Sequence, residues 1–119
     1  MREIVLDTET TGLDFKKGDR IIEVGCVELI NHVATSKQLQ FYCSTNKTIN
    51  KEAEKIHGLS NTFLNKFPTF KENAQNLLNF IKKDTLIIHN ADFDIGFINH
   101  ELKLSGLSPL QNTIIDTVL

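Results

Sequence analysis

Acidic side chains at two places in the sequence have the types and spacing that could hold divalent metal ions. Asp7 and Glu9 stand two residues apart at the end of a predicted strand over 3–8, so strand alternation places both on the same side of a sheet. Asp94 lies far along the chain, in the first turn of a predicted helix. Because carboxylates placed together repel each other, a site that keeps them usually holds a cation, and oxygen ligands suit Mg²⁺ or Mn²⁺.

Each of these acids also has an ordinary explanation when it is taken alone. Asp7 and Glu9 could be solvated residues at a strand end, and Asp94 could be a first-turn helix acid, which the helix dipole favours. The neighbouring Asp92 is expected to point into solvent, because two helical positions turn it about 200° away from Asp94. The three acids can meet only if the predicted strand over 85–89 lies beside the first strand.

The elements that must position the acids follow from the apolar pattern. Short apolar runs predict five strands, over 3–8, 21–30, 38–43, 85–89 and from 113 onwards, with a loop of several residues between the second and the third. Helical spacing predicts helices over 69–83, with Lys82 and Lys83 in the last turn, and over 93–104, and one or two turns over 50–56. Thr69 with Glu72 has the capping-box spacing. This order predicts an α/β fold in which parallel strands extend an antiparallel meander into a mixed sheet flanked by helices.

The composition bounds the class of protein. The chain has 119 residues with 13 basic and 15 acidic side chains, a formal net charge of −2, and 40% hydrophobic residues. These values are typical of one globular domain, here 1–119, and exclude a disordered tail or a collagen-like rod. No signal-peptide pattern and no bilayer-length apolar run are present, so we expect a cytoplasmic protein without membrane contact. Cys26 and Cys43 are expected to be reduced thiols in the core.

Three segments of the sequence resemble the motifs of a known enzyme family. They are DTETTG over 7–12, IHGL over 56–59 and HNADFD over 89–94. Together they resemble the DEDD 3′–5′ exonucleases, and within these the proofreading branch formed by the epsilon subunits of bacterial DNA polymerase III. The resemblance implies a ribonuclease H-like fold, two Mg²⁺ or Mn²⁺ ions, and hydrolysis of the phosphodiester at a DNA 3′ end.

The resemblance also implies a role for individual residues. Asp7 is expected to bridge both metal ions, Glu9 to bind the ion that generates hydroxide, and Asp94 to support the second ion. Glu52 and His57 fall where this branch contacts the terminal nucleotide, next to Asp7 and Glu9, and the match around Glu52 is the looser one.

One part of the family pattern has no counterpart in the chain. The third signature, a His followed five residues later by an Asp, does not occur before Leu119. We therefore expect an exonuclease domain that is incomplete at its C-terminal end and lacks the C-terminal helices, the general-base His and one metal-ligand Asp. The 119 residues alone are expected to bind Mn²⁺ or Mg²⁺ weakly, to show little nuclease activity, and to self-associate through the open sheet face.

Two alternatives stay open at this point. A related DEDD ribonuclease that trims RNA 3′ ends needs the same carboxylates, and a non-catalytic module could bind polymerase subunits while keeping a relic metal site. For the proofreading interpretation, the resemblance implies three partners: a DNA 3′ end, the catalytic subunit of the polymerase and a small accessory subunit.

Overall fold

The structure, a computed structural model, describes residues 1–118 and contains one five-stranded mixed sheet. The strands are β1 (Arg2–Thr10), β2 (Ile21–Ile30), β3 (Val33–Tyr42), β4 (Thr85–Ile88) and β5 (Ile114–Asp116), in the spatial order β3-β2-β1-β4-β5. The first three strands are antiparallel, whereas β4 runs parallel to β1 and β5 runs parallel to β4. The predicted meander extended by parallel strands is thus confirmed, and β4 lies beside β1 as the site requires.

Within residues 1–118, four α-helices accompany the sheet: α1 (Lys51–His57), α2 (Asn61–Leu64), α3 (Phe70–Ile81) and α4 (Ala91–Leu104). A short 3-10 helix spans Phe15–Lys17. The two long helices, α3 and α4, share the main core with one face of the sheet. Ile4 and Leu6 of β1 belong to this core together with Leu77 of α3 and Phe97 of α4. The helical spacing in α3 is confirmed, because its buried residues are Phe70, Ala74, Leu77 and Ile81. The placement of Lys82 and Lys83 in the last turn is wrong, since Lys82 has a positive φ of 50° and the helix ends at Ile81.

The opposite face carries a row of β-branched side chains in register across four strands. Val27, Val5, Ile87 and Ile115 are direct neighbours along β2, β1, β4 and β5. Val5 is 37% exposed and Ile115 is 45% exposed. We call these four residues the apolar row.

Three other local expectations are wrong. The β2–β3 connection is a two-residue turn, since Asn31 and His32 adopt positive φ values of 49° and 68°, as a tight hairpin turn requires. Strand β3 therefore begins at Val33, five residues earlier than expected. The capping box is absent at α3, because the Thr69 hydroxyl donates to Glu72 and makes no hydrogen bond to the helix backbone.

Two further features bear on the class of protein. Cys26 and Cys43 are buried free thiols, and burial raises the pKa of each to about 12, so both stay protonated at neutral pH. Across residues 1–118, the helices are all too short or too polar to cross a membrane.

Candidate metal-binding site at the end of strand β1

Strand β1 distributes the first motif over both faces of the sheet. Asp7 and Glu9 share the face that carries the apolar row, with Asp7 beside Gly25 and Glu9 beside Glu23 of β2. Thr8, between them, is buried on the side of the helices. The predicted same-side placement of Asp7 and Glu9 is therefore confirmed.

The carboxylate of Glu9 lies in a negative environment. Its pKa is raised, first by partial burial and then by the charges of Asp7 and Glu23, while His57 lowers it. A cation beside Glu9 would relieve the same repulsion that raises this pKa.

Asp94 reaches the site from α4. It lies in the first turn of the helix with 4% of its surface exposed, and the Thr8 hydroxyl donates a hydrogen bond to its carboxylate. The pKa of Asp94 is raised to about 6, chiefly because the group is buried; Thr8 opposes the shift, and Asp7 and Glu9 add to it. The three acids of the two motifs thus share one electrostatic environment.

The fit of these acids to metal ions rests on chemistry and charge. Over residues 1–118, no group of three or more His, Cys, Asp and Glu side chains is arranged so that it could hold a metal ion. The metal ligands would be carboxylate oxygens, which Mg²⁺ and Mn²⁺ prefer. The charge of Asp7 also raises the pKa of both Glu9 and Asp94, as expected where a cation would be favoured. The carboxylate chemistry of Asp7, Glu9 and Asp94 suits such ions, whereas the arrangement of the three side chains in this structure does not form a ligand group, and the ligand set stays a prediction.

A pocket of about 240 Å³ opens beside Glu9. Glu52 and His57 line it from α1, so the structure brings both predicted nucleotide contacts to the same concavity as Glu9, whereas Asp7 and Asp94 lie outside its lining. Helix α1 is held at both ends, because the Asn50 side chain accepts from the Glu52 amide at 2.8 Å and Gly58 ends the helix with a φ of 71°.

The ring of His57 has a defined orientation. The amide of Leu59 donates to Nδ1 at 3.0 Å, so the neutral ring carries its proton on Nε2. That nitrogen lies 3.3 Å from the carbonyl oxygen of Thr10. The β1 end and the end of α1 are therefore joined at the pocket wall.

Apolar side chains in the pocket were missed by the sequence analysis. Leu13 is 86% exposed and Ile56 is 84% exposed, and both line the pocket with Phe93. Large apolar side chains exposed together beside a polar site are typical of ligand contacts. The sequence does carry a signal for them, since Ile56 and Phe93 stand inside the motifs IHGL and HNADFD and Leu13 directly follows DTETTG.

Two other residues fix α4 against the sheet. Glu101 is fully buried and accepts from Arg20 Nε at 2.8 Å, from Arg20 Nη2 at 2.7 Å and from the Ile21 amide at 3.1 Å. The hydrogen bonds to Glu101 raise the pKa of Arg20, so the guanidinium stays charged. Asp92, in contrast, is exposed, as expected.

Comparison with known proteins bears on what this site belongs to. The model of the exonuclease family matches residues 4–119, nearly the whole chain. The chain belongs to this exonuclease family. The resemblance of the three motifs is thereby confirmed.

The most similar members of the exonuclease family include DNA polymerase III epsilon subunits from several bacteria. The subunit of Rickettsia prowazekii is 54% identical over 104 residues, which cover 87% of this chain and 45% of that protein. The subunit of Rickettsia conorii is 50% identical over 124 residues, covering 100% of this chain and 54% of that protein. The chain spans about half the length of these relatives.

Solved exonuclease structures share the fold. Escherichia coli exonuclease I in a complex with single-stranded DNA superposes with a TM-score of 0.85 at 16% identity, covering 97% of this chain and 27% of that one. Exonuclease X with 5′ overhanging duplex DNA gives a TM-score of 0.72 at 22% identity, covering 97% of this chain and 59% of that one. The predicted ribonuclease H-like architecture is confirmed.

Proposed function

We propose that residues 1–119 are part of one exonuclease domain, a metal-dependent 3′–5′ exonuclease that removes mispaired nucleotides from a DNA 3′ end during replication. The observation that carries this proposal is the position of Glu9. It lines the pocket that Glu52 and His57 also line, and it belongs to the same charged environment as Asp7 and Asp94. A nucleotide in the pocket would therefore have its phosphate beside the acids.

Two Mg²⁺ or Mn²⁺ ions would be held by Asp7, Glu9 and Asp94. When bound, such ions neutralise the phosphate and lower the pKa of the attacking water. These three side chains would contribute carboxylate oxygens as ligands: Glu9 from the pocket side, Asp7 from the exposed sheet face, and Asp94 from the start of α4.

The terminal nucleotide would occupy the pocket. Glu52 would supply an acceptor for a sugar hydroxyl, and the ring of His57, whose Nε2 lies 3.3 Å from the Thr10 carbonyl oxygen, would form part of the wall against the nucleotide. Leu13, Ile56 and Phe93 offer apolar and aromatic surface on which a base can stack. Stacking tolerates any base, as the removal of any mispaired nucleotide requires.

The single DNA strand that ends in the pocket would lie in a neighbouring groove. Asn50 lines both concavities, and the groove continues along Lys17 and Lys47. Asp19 also lines the groove, but its carboxylate accepts from the Thr11 hydroxyl at 2.8 Å and the Asp14 amide at 3.1 Å. The two ammonium groups form no ion pair within residues 1–118, so they are available to backbone phosphates.

The test of the metal site compares the three proposed ligands with Asp92, an exposed acid in the same helical turn as Asp94. Asp94→Asn, Asp7→Asn and Glu9→Gln should each weaken Mn²⁺ binding by more than about tenfold in a titration followed by electron paramagnetic resonance. Asp92→Asn is the matched control, since it removes the same charge from an exposed position, and it should stay within about twofold. Equal effects of the substitutions at 92 and 94 would contradict the proposed ligand set.

The test of the substrate uses the whole protein that carries this chain. Release of nucleoside monophosphates from single-stranded DNA should depend on Mn²⁺ or Mg²⁺ and should exceed release from RNA of the same sequence. A preference for RNA would favour a ribonuclease. An absence of both activities in the whole protein would favour a non-catalytic module.

Association partners form part of the same proposal. Identity of 54% to an epsilon subunit supports assembly with the catalytic subunit and a small accessory subunit of DNA polymerase III, in the cytoplasm where the chromosome is replicated. The apolar row would serve contact between two copies of this chain. Sedimentation velocity should show dimers that Val5→Lys abolishes, and a monomer at high concentration would contradict this contact.

A further inference from the structure

The turn that leads into α4 has an unusual backbone. Only His89 and Asn90 separate β4 from the helix, and Asn90 has the left-handed dihedrals φ 61° and ψ 56°. Residues with a Cβ adopt this conformation at a steric cost, which asparagine tolerates better than most. Asn90 occupies the N-cap position, yet its side chain makes no capping hydrogen bond. The first amides of α4 therefore need acceptors from elsewhere.

Asp116, at the end of the neighbouring strand β5, supplies these acceptors. Its Oδ1 accepts from the Asn90 amide at 3.1 Å, and its Oδ2 accepts from the Ala91 amide at 3.0 Å. Oδ1 also accepts from the Val118 amide at 2.9 Å. These amides, that of Val118 first, lower the pKa of Asp116, so the carboxylate stays ionised. One side chain thus holds both residues at the start of the helix.

Thr117, the residue after Asp116, also contacts this turn. Thr117 donates its amide to the carbonyl of Ile88 at 3.1 Å, and its hydroxyl lies 3.1 Å from Nδ1 of His89. Asp116 is itself paired with Ile88 in the parallel register of β4 and β5. The end of β5 therefore fixes every residue between β4 and α4.

We propose that Asp116 is a positioning residue for Asp94. By holding the amides of Asn90 and Ala91, it fixes the left-handed turn and the first helical turn that carries Asp94 three residues later. The direction of that turn decides whether the Asp94 carboxylate stands near Asp7 and Glu9. This inference rests on the proposed function, in which Asp94 is a metal ligand.

The test removes the acceptor and follows both the turn and the metal. In Asp116→Ala, the amides of Asn90 and Ala91 should exchange with deuterium faster, and Mn²⁺ affinity should fall about 10- to 100-fold, the usual effect of losing a group that orients a ligand. Asn112→Ala is the matched control. Asn112 also makes two side-chain hydrogen bonds to backbone, to Lys82 at 3.1 Å and to Asp84 at 2.7 Å, at the opposite end of β5. It should lower the melting temperature without changing Mn²⁺ affinity.

A rescue separates positioning from general stability. Glycine adopts the left-handed conformation without a steric cost. The double variant Asp116→Ala with Asn90→Gly should therefore bind Mn²⁺ at least about threefold more tightly than Asp116→Ala alone. Unchanged exchange and affinity in Asp116→Ala, or equal losses in Asp116→Ala and Asn112→Ala, would overturn the positioning role alone. A wild-type chain that does not bind Mn²⁺ would overturn the proposed function together with this inference.

Discussion

The hydroxyl of Thr8 donates a hydrogen bond to the buried carboxylate of Asp94, and so links the two acidic motifs through the residue that lies between Asp7 and Glu9. The bond joins residues 86 positions apart, at the junction of β1 and α4. It holds Asp94 against β1 from the side of the helices.

Removal of this hydroxyl should lower the free energy of unfolding and raise the pKa of Asp94. Thr8→Val keeps the shape but leaves a buried acceptor without its donor, which costs about 1–3 kcal/mol of unfolding free energy. The pKa of Asp94 should rise further, because the Thr8 bond lowers it in the wild type. Urea denaturation at neutral pH measures the loss, and Thr8→Ser, which keeps the hydroxyl, should recover most of it. A Thr8→Val protein as stable as wild type would show that the bond contributes little.

Asp94→Asn should stabilise the metal-free protein at neutral pH. The pKa of Asp94 is about 6 in the fold against an ordinary 3.8, so the folded state binds more protons than the unfolded state between these values. The free energy of unfolding therefore decreases as pH rises from about 4 to 6, and the asparagine variant escapes this decrease. Its melting temperature in a chelator should exceed that of wild type at pH 7, and the difference should vanish near pH 4.

Added Mn²⁺ should reverse that order. The metal stabilises the wild type by mass action, whereas the variant lacks the charge that binds it. A variant that is less stable than wild type at pH 7 in a chelator would contradict the raised pKa of Asp94.

Lys17 and Lys47 should contribute to DNA affinity through phosphate contacts. Replacing both by alanine should weaken binding of a single-stranded oligonucleotide and reduce the slope of log affinity against log salt by about 1.4, or about 0.7 per lost contact. Fluorescence anisotropy in a chelator measures this without cleavage. The matched control replaces Lys71 and Lys103, two exposed lysines of α3 and α4, and should leave the slope unchanged. The same change in both double variants would indicate a general charge effect.

Glu101 should be the most sensitive single residue for stability. Glu101→Ala leaves the Arg20 guanidinium and the Ile21 amide without their acceptor, which costs about 3 kcal/mol, at the low end for a broken buried pair because Arg20 keeps contact with water. Thermal and chemical denaturation measure the loss. Glu54→Ala, at an exposed position of α1, should change stability by less than about 0.5 kcal/mol. A small effect at Glu101 would mean that α4 is held by its apolar contacts alone.

The sequence predicts those parts of the fold that depend on local pattern. The β-branched runs of β1, β2 and β4 and the helical spacing of α3 identify these elements, and strand alternation is sufficient to place Asp7 and Glu9 on one face. In contrast, β3 was found only in part, because residues 33–37 of this edge strand are mostly exposed and polar. Helix α2, with four residues, is too short to show a periodic pattern.

The contacts that position Asp94 were not predictable, since each joins residues that are distant in sequence. Thr8 with Asp94, Arg20 with Glu101 and Asp116 with Asn90 are separated by 86, 81 and 26 residues. No residue type in these pairs indicates its partner, and only the parallel pairing of β4 with β1 and β5 brings them together. The motif resemblance named Asp94 without indicating how it is held.

The order of the strands predicts different folding histories for the two halves of the site. Strands β1, β2 and β3 pair through short connections, whereas β4 pairs with β1 only after a chain segment of more than 70 residues has been closed into a loop. The meander can therefore form early, with Asp7 and Glu9 already on its surface. We expect α4 to dock later, and its docking is the step that puts Asp94 into the electrostatic environment of Asp7 and Glu9.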